Sequence, residues 1–271
     1  MNYTFKNPIV ADLYALIEQP PLIWNGASNY FSNLAQDLLP EIITWDEDKS
    51  LQYDHLEIKR TKRLGHYAEE IMSFLLKNHS RFNLLVEQRQ IKEGKQTIGE
   101  LDYIFEDLKT GRLIHMELSL KYYLMVEPEK GLLGYVGMNI KDRLGEKYEK
   151  MLRKQSQLAL NYPEQIPELE GRVPSTEIWL KGRLFYPSWP MKFPAELNPE
   201  HQKGIWFPAN KLANYEHLMA DQLHKLAWLS AQAPHRESWR PVHYKGEMYA
   251  TDKDFWYWKV PSEWAYSSAF S

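Results

Sequence analysis

Apolar and polar positions alternate most clearly in the middle of the chain. From Arg112 to Met125 an extended strand would carry Met116, Leu118, Leu120 and Tyr122 on one face and His115, Glu117, Ser119, Lys121 and Tyr123 on the other. Gly99 to Glu106 alternates as well, with Leu101, Tyr103 and Phe105 facing one way and Glu100 and Asp102 the other. Thr110-Gly111 between them is a turn signal, so the two segments predict a β-hairpin. A tight antiparallel register centred near Lys109 and Thr110 sets Asp102 opposite Glu117. Their β-carbons would then lie about 5 Å apart. Two ionised carboxylates that close repel, so either one holds a proton or a cation lies between them, and a bound metal is the economical answer. An ordinary amphipathic hairpin with a solvated charged face would also carry such acids. Lys121 on the same face, and the bulky apolar residues flanking these charges, favour a site.

Helical periodicity brackets the hairpin. Pro8 to Glu18 and Ala27 to Leu38 read as two short helices, separated by Gln19-Pro20-Pro21 and closed by Pro40, with an acidic loop at Trp45 to Lys49. Leu64 to Lys77 carries Leu64, Tyr67, Ala68, Ile71, Phe74 and Leu75 at helical spacing, which puts Glu69 at the edge of the buried face. Arg81 to Ile91 reads as a strand before the turn at Gly94. Glu127 to Met138 reads as a loop, and Lys141 to Leu160 as one helix with Leu144, Tyr148, Met151, Leu152, Gln155, Leu158 and Ala159 on one side. Thr176 to Tyr186 reads as a further strand, and Asn210 to Ala231 as a last helix before short strands and loops. The order is helix, three strands, helix, strand. These elements divide the chain into a helical segment over 1–55, an α/β core over 56–190 and an extension over 191–271, where most of the ten tryptophans lie.

Composition narrows the function. With 271 residues the chain can bury a sizeable core. A net charge of -3 excludes coating nucleic acid by bulk electrostatics, so any such contact needs a local basic patch. The absence of Cys removes disulfides, thiolate zinc sites and cysteine nucleophiles together. The start shows no basic region leading into an apolar run, and no stretch of 18 apolar residues occurs. The expectation is therefore a cytoplasmic chain with no membrane partner.

Glu69 in RLGHYAEE, Asp102 in GELDYIF, and Glu117 with Lys121 in IHMELSLKYYL, followed by a helix rich in Lys, Arg and Gln, resemble the PD-(D/E)XK nuclease superfamily. More closely they resemble an uncharacterised bacterial family of unknown function grouped with it. The resemblance is clearest from Arg63 to Leu160. It implies a restriction-endonuclease-like αβββαβ core around a central mixed sheet, and phosphodiester hydrolysis assisted by Mg²⁺ or Mn²⁺. Carried over, Asp102, Glu117 and Glu69 would hold the metal, Lys121 would position or activate water, and Gln155 matches a glutamine found in the helix after the hairpin. The superfamily's lysine normally lies two residues after the second acid, where this chain has Ser119. Lys121 is on the same strand face about 7 Å further along.

Carboxylate and carbonyl oxygens suit a hard cation better than zinc. His115 shares the site face and reads either as a ligand or as a locally hydrogen-bonded histidine. Two basic clusters flank the site and could receive a phosphate backbone: Lys59, Arg60, Lys62 and Arg63, and Lys147, Lys150, Arg153 and Lys154. Solvated helix faces look the same in sequence. The tail tryptophans read as core packing or as a stacking surface for bases or sugars. Three functions remain: a metal-dependent nuclease, an inactive nuclease-fold module binding nucleic acid or a protein, and a carbohydrate-binding surface.

Overall fold

Local sequence signals set the first helix. In the computed structural model, which describes residues 3–24, 30, 34–48, 64–187, 192–214, 221–223, 228–230, 247–250 and 256–266, helix α1 spans Pro8–Glu18. The Asn7 side chain accepts from the Ile9 N–H at 2.9 Å, and Pro8 fills the first position, where a missing N–H costs nothing. The second helix lies later than its periodicity predicted. Helix α2 is Ala35–Glu47 and runs through Pro40. Proline inside a helix costs about 3 kcal/mol. The apolar row Ala35, Leu38, Leu39, Ile42 and Trp45 is buried on both sides of Pro40, and that packing outweighs the cost. Trp45 to Glu47, within the segment read as an acidic loop, thus form the last turn of α2. Asp46 within it accepts from the backbone N–H groups of Lys6 and Asn7, tying the start of α1 to the end of α2.

Helix α3 (Leu64–Asn78) lies beside strands β1 (Phe82–Glu93), β2 (Gln96–Asp107) and β3 (Arg112–Met125), which form an antiparallel meander. The β2–β3 ladder keeps the predicted register from Asp107 opposite Arg112 to Tyr103 opposite Met116. Its turn is fixed from inside: the buried Asp107 carboxylate accepts from Lys109 N, Thr110 Oγ1, Arg81 and Tyr30, and Gly111 takes φ +67°. Leu101 departs from its predicted face. It packs with Val86, Ile91 and Ile104, whereas Tyr103 and Phe105 join the cluster under α1, α2 and α3. Opposite this change of face, Gln88 of β1 sits at φ +44°.

The segment after β3 is more regular than a loop. A 3₁₀ stretch, Pro128–Gly134, leads into strand β4 (Tyr135–Val136), which pairs with the end of β3. The long helix predicted over 141–160 is broken. Helix α4 is Leu144–Arg153, a 3₁₀ turn covers Gln155–Gln157, and helix α5 is Leu158–Asn161. Ser156 Oγ donates to the Leu152 carbonyl at 2.6 Å at this break, an alternative partner that competes with the helical ladder.

Strand β5 (Ser175–Tyr186) runs parallel to β3 and makes the sheet mixed. Beyond it come β6 (Gln202–Pro208), β7 (Asp221–Leu223), β8 (Glu247–Ala250) and β9 (Trp256–Val260), giving the order β1-β2-β3-β5-β6-β9-β8-β7. The helix predicted over 210–231 is not formed in the described residues, where Ala209–Asn214 is 3₁₀ and Asp221–Leu223 is a strand. Pairing to β8 is the tertiary contact that overrides helical periodicity there. The tail therefore extends the sheet of the α/β core. Helices α1, α2 and α3 cover one face, and α4 and α5 cover the other. Trp206, Trp228, Trp256 and Trp258 are buried in the first of these layers, which removes them as a stacking surface. No helix among the described residues is long and apolar enough to cross a membrane.

Gly182 fixes how closely β5 approaches β3. It adopts φ +128°, and an added Cβ would lie 1.7 Å from the Lys121 carbonyl oxygen. Gly182→Ala is expected to destabilise the protein by about 3 kcal/mol or more. Urea unfolding measures this, and an unchanged midpoint would refute the close approach.

Candidate functional site

The β2–β3 ladder ends one pair short of the two acids. Beyond Tyr103 and Met116 the Leu118 N–H donates to Asp102 Oδ2 at 2.7 Å, so a side-chain carboxylate takes the place of a strand carbonyl. The Asp102 N–H points at Glu117 Oε1 over 3.5 Å. Asp102 and Glu117 thus lie side by side where β2 parts from β3, as the register predicted.

Glu117 is fully buried and held on both oxygens. Oε1 is 2.8 Å from His115 Nε2, and Oε2 accepts from Gln155 Nε2 at 2.8 Å. The break after α4 brings Gln155 to this position. His115 is also fully buried, and its Nδ1 has no hydrogen-bond partner. An Nε2–H tautomer donating to Glu117 leaves only a lone pair unpaired there, which costs less than an orphaned N–H. Of the two readings of His115, the structure selects the local hydrogen bond.

Burial, followed by the charge of Glu117, pushes the Asp102 carboxyl up to about 8, against the opposing pull of the Leu118 N–H. Burial also raises Glu69, half-buried on α3, although His66 Nδ1 lies 3.1 Å from its carboxylate. Tyr103 Oη donates to the Glu69 carbonyl at 2.6 Å and locks α3 to β2 beside the pair.

Lys121 is not free to reach back past Ser119. Its Nζ donates to Asp142 Oδ2 at 2.7 Å, and Tyr123 Oη holds Asp142 Oδ1 at 2.9 Å. Asp142 lies in the turn before α4, at a position the periodicity placed in the helix. Lys147 was legible only as part of a basic flank, yet it is half-buried, with Nζ 3.4 Å from Gln155 Oε1. Burial lowers its pKa, with Lys121 adding to the shift and Asp102 opposing it. Lys150, Arg153 and Lys154 are exposed, and Arg153 is paired with Glu149 at 2.5 Å. Lys59, Arg60, Lys62 and Arg63 lie outside the described residues.

The chain belongs to the family described as a domain of unknown function, DUF1853, whose match covers residues 11–254. Neither the curated proteins nor the solved structures include a significant match. The site lies well inside the matched span.

Among the described residues no group of three or more His, Asp or Glu side chains is arranged to hold a metal ion. The pair still fits a hard divalent cation, because Mg²⁺ is commonly held by one or two carboxylates with water and phosphate oxygens completing its shell. Asp102 Oδ1 carries no hydrogen bond among the described residues, and burial, then the charge of Glu117, makes ionising Asp102 costly, a cost that a bound cation would offset.

The raised Asp102 carboxyl has a stability signature. Between the ordinary carboxylate range and about 8 the unfolded chain ionises Asp102 while the folded chain keeps its proton. The group's contribution to stability is therefore full below about pH 4 and lost as pH rises through about 8. Asp102→Asn keeps an acceptor for Leu118 N and removes the loss. With metal chelated, the Tm difference between variant and wild type should grow by roughly 5 °C or more from about pH 5 to about pH 9. A difference independent of pH would contradict it.

Proposed function

We propose that the protein is a metal-dependent nuclease that hydrolyses phosphodiester bonds in DNA or RNA, with a restriction-endonuclease-like core. The observation that carries this reading is the Asp102–Glu117 pair, set side by side at the parting of two strands, with the Asp102 acid pushed up to about 8. The order α3, β1, β2, β3, α4, β5, with the two-residue β4 and the four-residue α5 interposed and β5 parallel to β3, supports it. So does Gln155, which reaches Glu117 from the turn after α4.

Asp102 and Glu117 would hold Mg²⁺ or Mn²⁺, with Glu69 at the edge. Bound there, the ion would supply an activated water and offset charge on the scissile phosphate. The surrounding residues prepare the pair. His115 and Gln155 fix the Glu117 carboxylate, and the Leu118 N–H fixes that of Asp102, so little reorganisation remains when charge develops. Lys121 keeps an ammonium near the site, with Asp142 offsetting its charge. Lys150, Lys154 and Arg153 on the exposed flank of α4, with Arg60, Lys62 and Arg63, would meet the phosphate backbone. A second reading, an inactive nuclease-fold module that binds nucleic acid or a protein, is favoured by Ser119 at the usual lysine position and by the engagement of Lys121 with Asp142.

Cleavage of single- and double-stranded DNA and RNA, compared in Mn²⁺, Mg²⁺ and EDTA, separates the two. The nuclease reading expects metal-dependent cleavage that falls by about 10² or more in Asp102→Asn with Glu117→Gln, together with loss of Mn²⁺ binding by calorimetry. Cleavage that persists in EDTA, or Mn²⁺ affinity unchanged in the double variant, would refute it. Nucleic-acid binding without cleavage would favour the module.

A further inference from the structure

Half-buried lysines in this fold are held by close oxygen partners: Lys203 donates to the Pro199 and His201 carbonyls at 2.7 and 3.1 Å, and two others meet a carboxylate. Lys121 has Asp142 at 2.7 Å, and Lys259 has Glu247 at 2.6 Å. Lys147 has no such partner among the described residues. Among the described residues its ammonium makes one hydrogen bond, the long contact to the neutral Gln155 amide, 3.4 Å from Nζ to Oε1. Lys121 and Lys150 lie near enough to repel it, and Asp102 and Glu117 near enough to attract it. A second buried lysine shows the contrast. Lys181 is completely enclosed, with its ammonium against the Gln19 and Ile17 carbonyls and 4.3 Å from the Trp179 ring, so no ligand can reach it.

An ammonium half out of water with no direct anionic contact is costly even with acids nearby, and an anion seated on it would offset that cost. Gln155 joins Lys147 to the acids, donating to Glu117 with its Nε2 while accepting from Lys147 with its Oε1. The cation is thus aimed along the same side of the sheet as the carboxylate pair. We propose that Lys147, from helix α4, holds a non-bridging oxygen of the substrate phosphate beside Asp102 and Glu117, and so fills the role that the strand lysine, committed to Asp142, does not. This rests on the nuclease reading for the identity of the phosphate. The cation itself stands on the geometry of Lys147.

The test uses thymidine 3′,5′-bisphosphate, a phosphate ligand with no internucleotide bond to cut, titrated calorimetrically into the full chain in EDTA and again in Mn²⁺. A phosphorothioate oligonucleotide in a second series separates a nucleic-acid backbone from a small phosphate ester. Lys147→Met keeps the apolar stem and removes the charge. It should weaken bisphosphate binding about tenfold or more in both conditions, with Mn²⁺ affinity alone unchanged. Lys147→Arg should recover part of the loss, and Lys121→Met should cost less than Lys147→Met. Equal affinity in wild type and Lys147→Met, or no bisphosphate binding by the wild type in either condition, would overturn the proposal. Thermal unfolding of each variant checks that the fold survives, and Lys147→Arg gives the answer if Lys147→Met does not fold. Lys147-dependent binding without metal-dependent cleavage would sink the nuclease reading and leave the phosphate seat standing.

Discussion

The site depends on where the β2–β3 ladder stops. An antiparallel ladder satisfies its N–H groups with opposing carbonyls, and here the Leu118 N–H is satisfied by the Asp102 carboxylate. That substitution lets the strands part without orphaning a buried donor. It also puts one carboxylate beside another. On the outer edge, Gln88 at positive φ lets β1 follow the same change of face, and Leu101 turns to the opposite layer from Tyr103. Strain and paired charge therefore meet at one point of an otherwise regular sheet. Such concentrations commonly mark function.

Support for this point comes from three directions. Tyr103 ties it to α3 through the Glu69 carbonyl, His115 fixes Glu117 from within β3, and the broken helix supplies Gln155. A continuous helix over 141–160 would carry Gln155 on one smooth face with Leu158. The break after Arg153 frees that residue to turn toward the sheet while Leu158 and Ala159 still pack under Leu101 and Ile104. Local irregularity in α4 and in β2 thus belongs to the same construction.

Much of this was legible in the sequence, and the limits have physical reasons. The Thr110-Gly111 turn set the β2–β3 register and hence the pairing of Asp102 with Glu117, because a hairpin register follows from its turn and needs no long-range information. The α3 stripe and β5 were likewise strongly periodic. The position of α2, the face of Leu101 and the fate of 210–231 were not legible, since each is decided by packing or strand pairing with distant residues. Lys121 illustrates the same limit within the site. Its strand face was correct, but its partner Asp142 comes from a turn 21 residues on and carries no motif. Lys147 read as one charge in a solvated flank because sequence cannot show that its neighbours on the flank are exposed while it is not.

On the proposed nuclease reading, Asp102 and Glu117 form a cation-seeking pair at the parted strands. Anomalous diffraction from a crystal soaked in Mn²⁺ tests it most directly. The nuclease reading expects a peak within about 2.5 Å of an oxygen from each carboxylate, with Gln155 still on Glu117. An Mn²⁺ peak elsewhere, or none, with the Asp102 carboxylate still resting only on the Leu118 N–H, would contradict it.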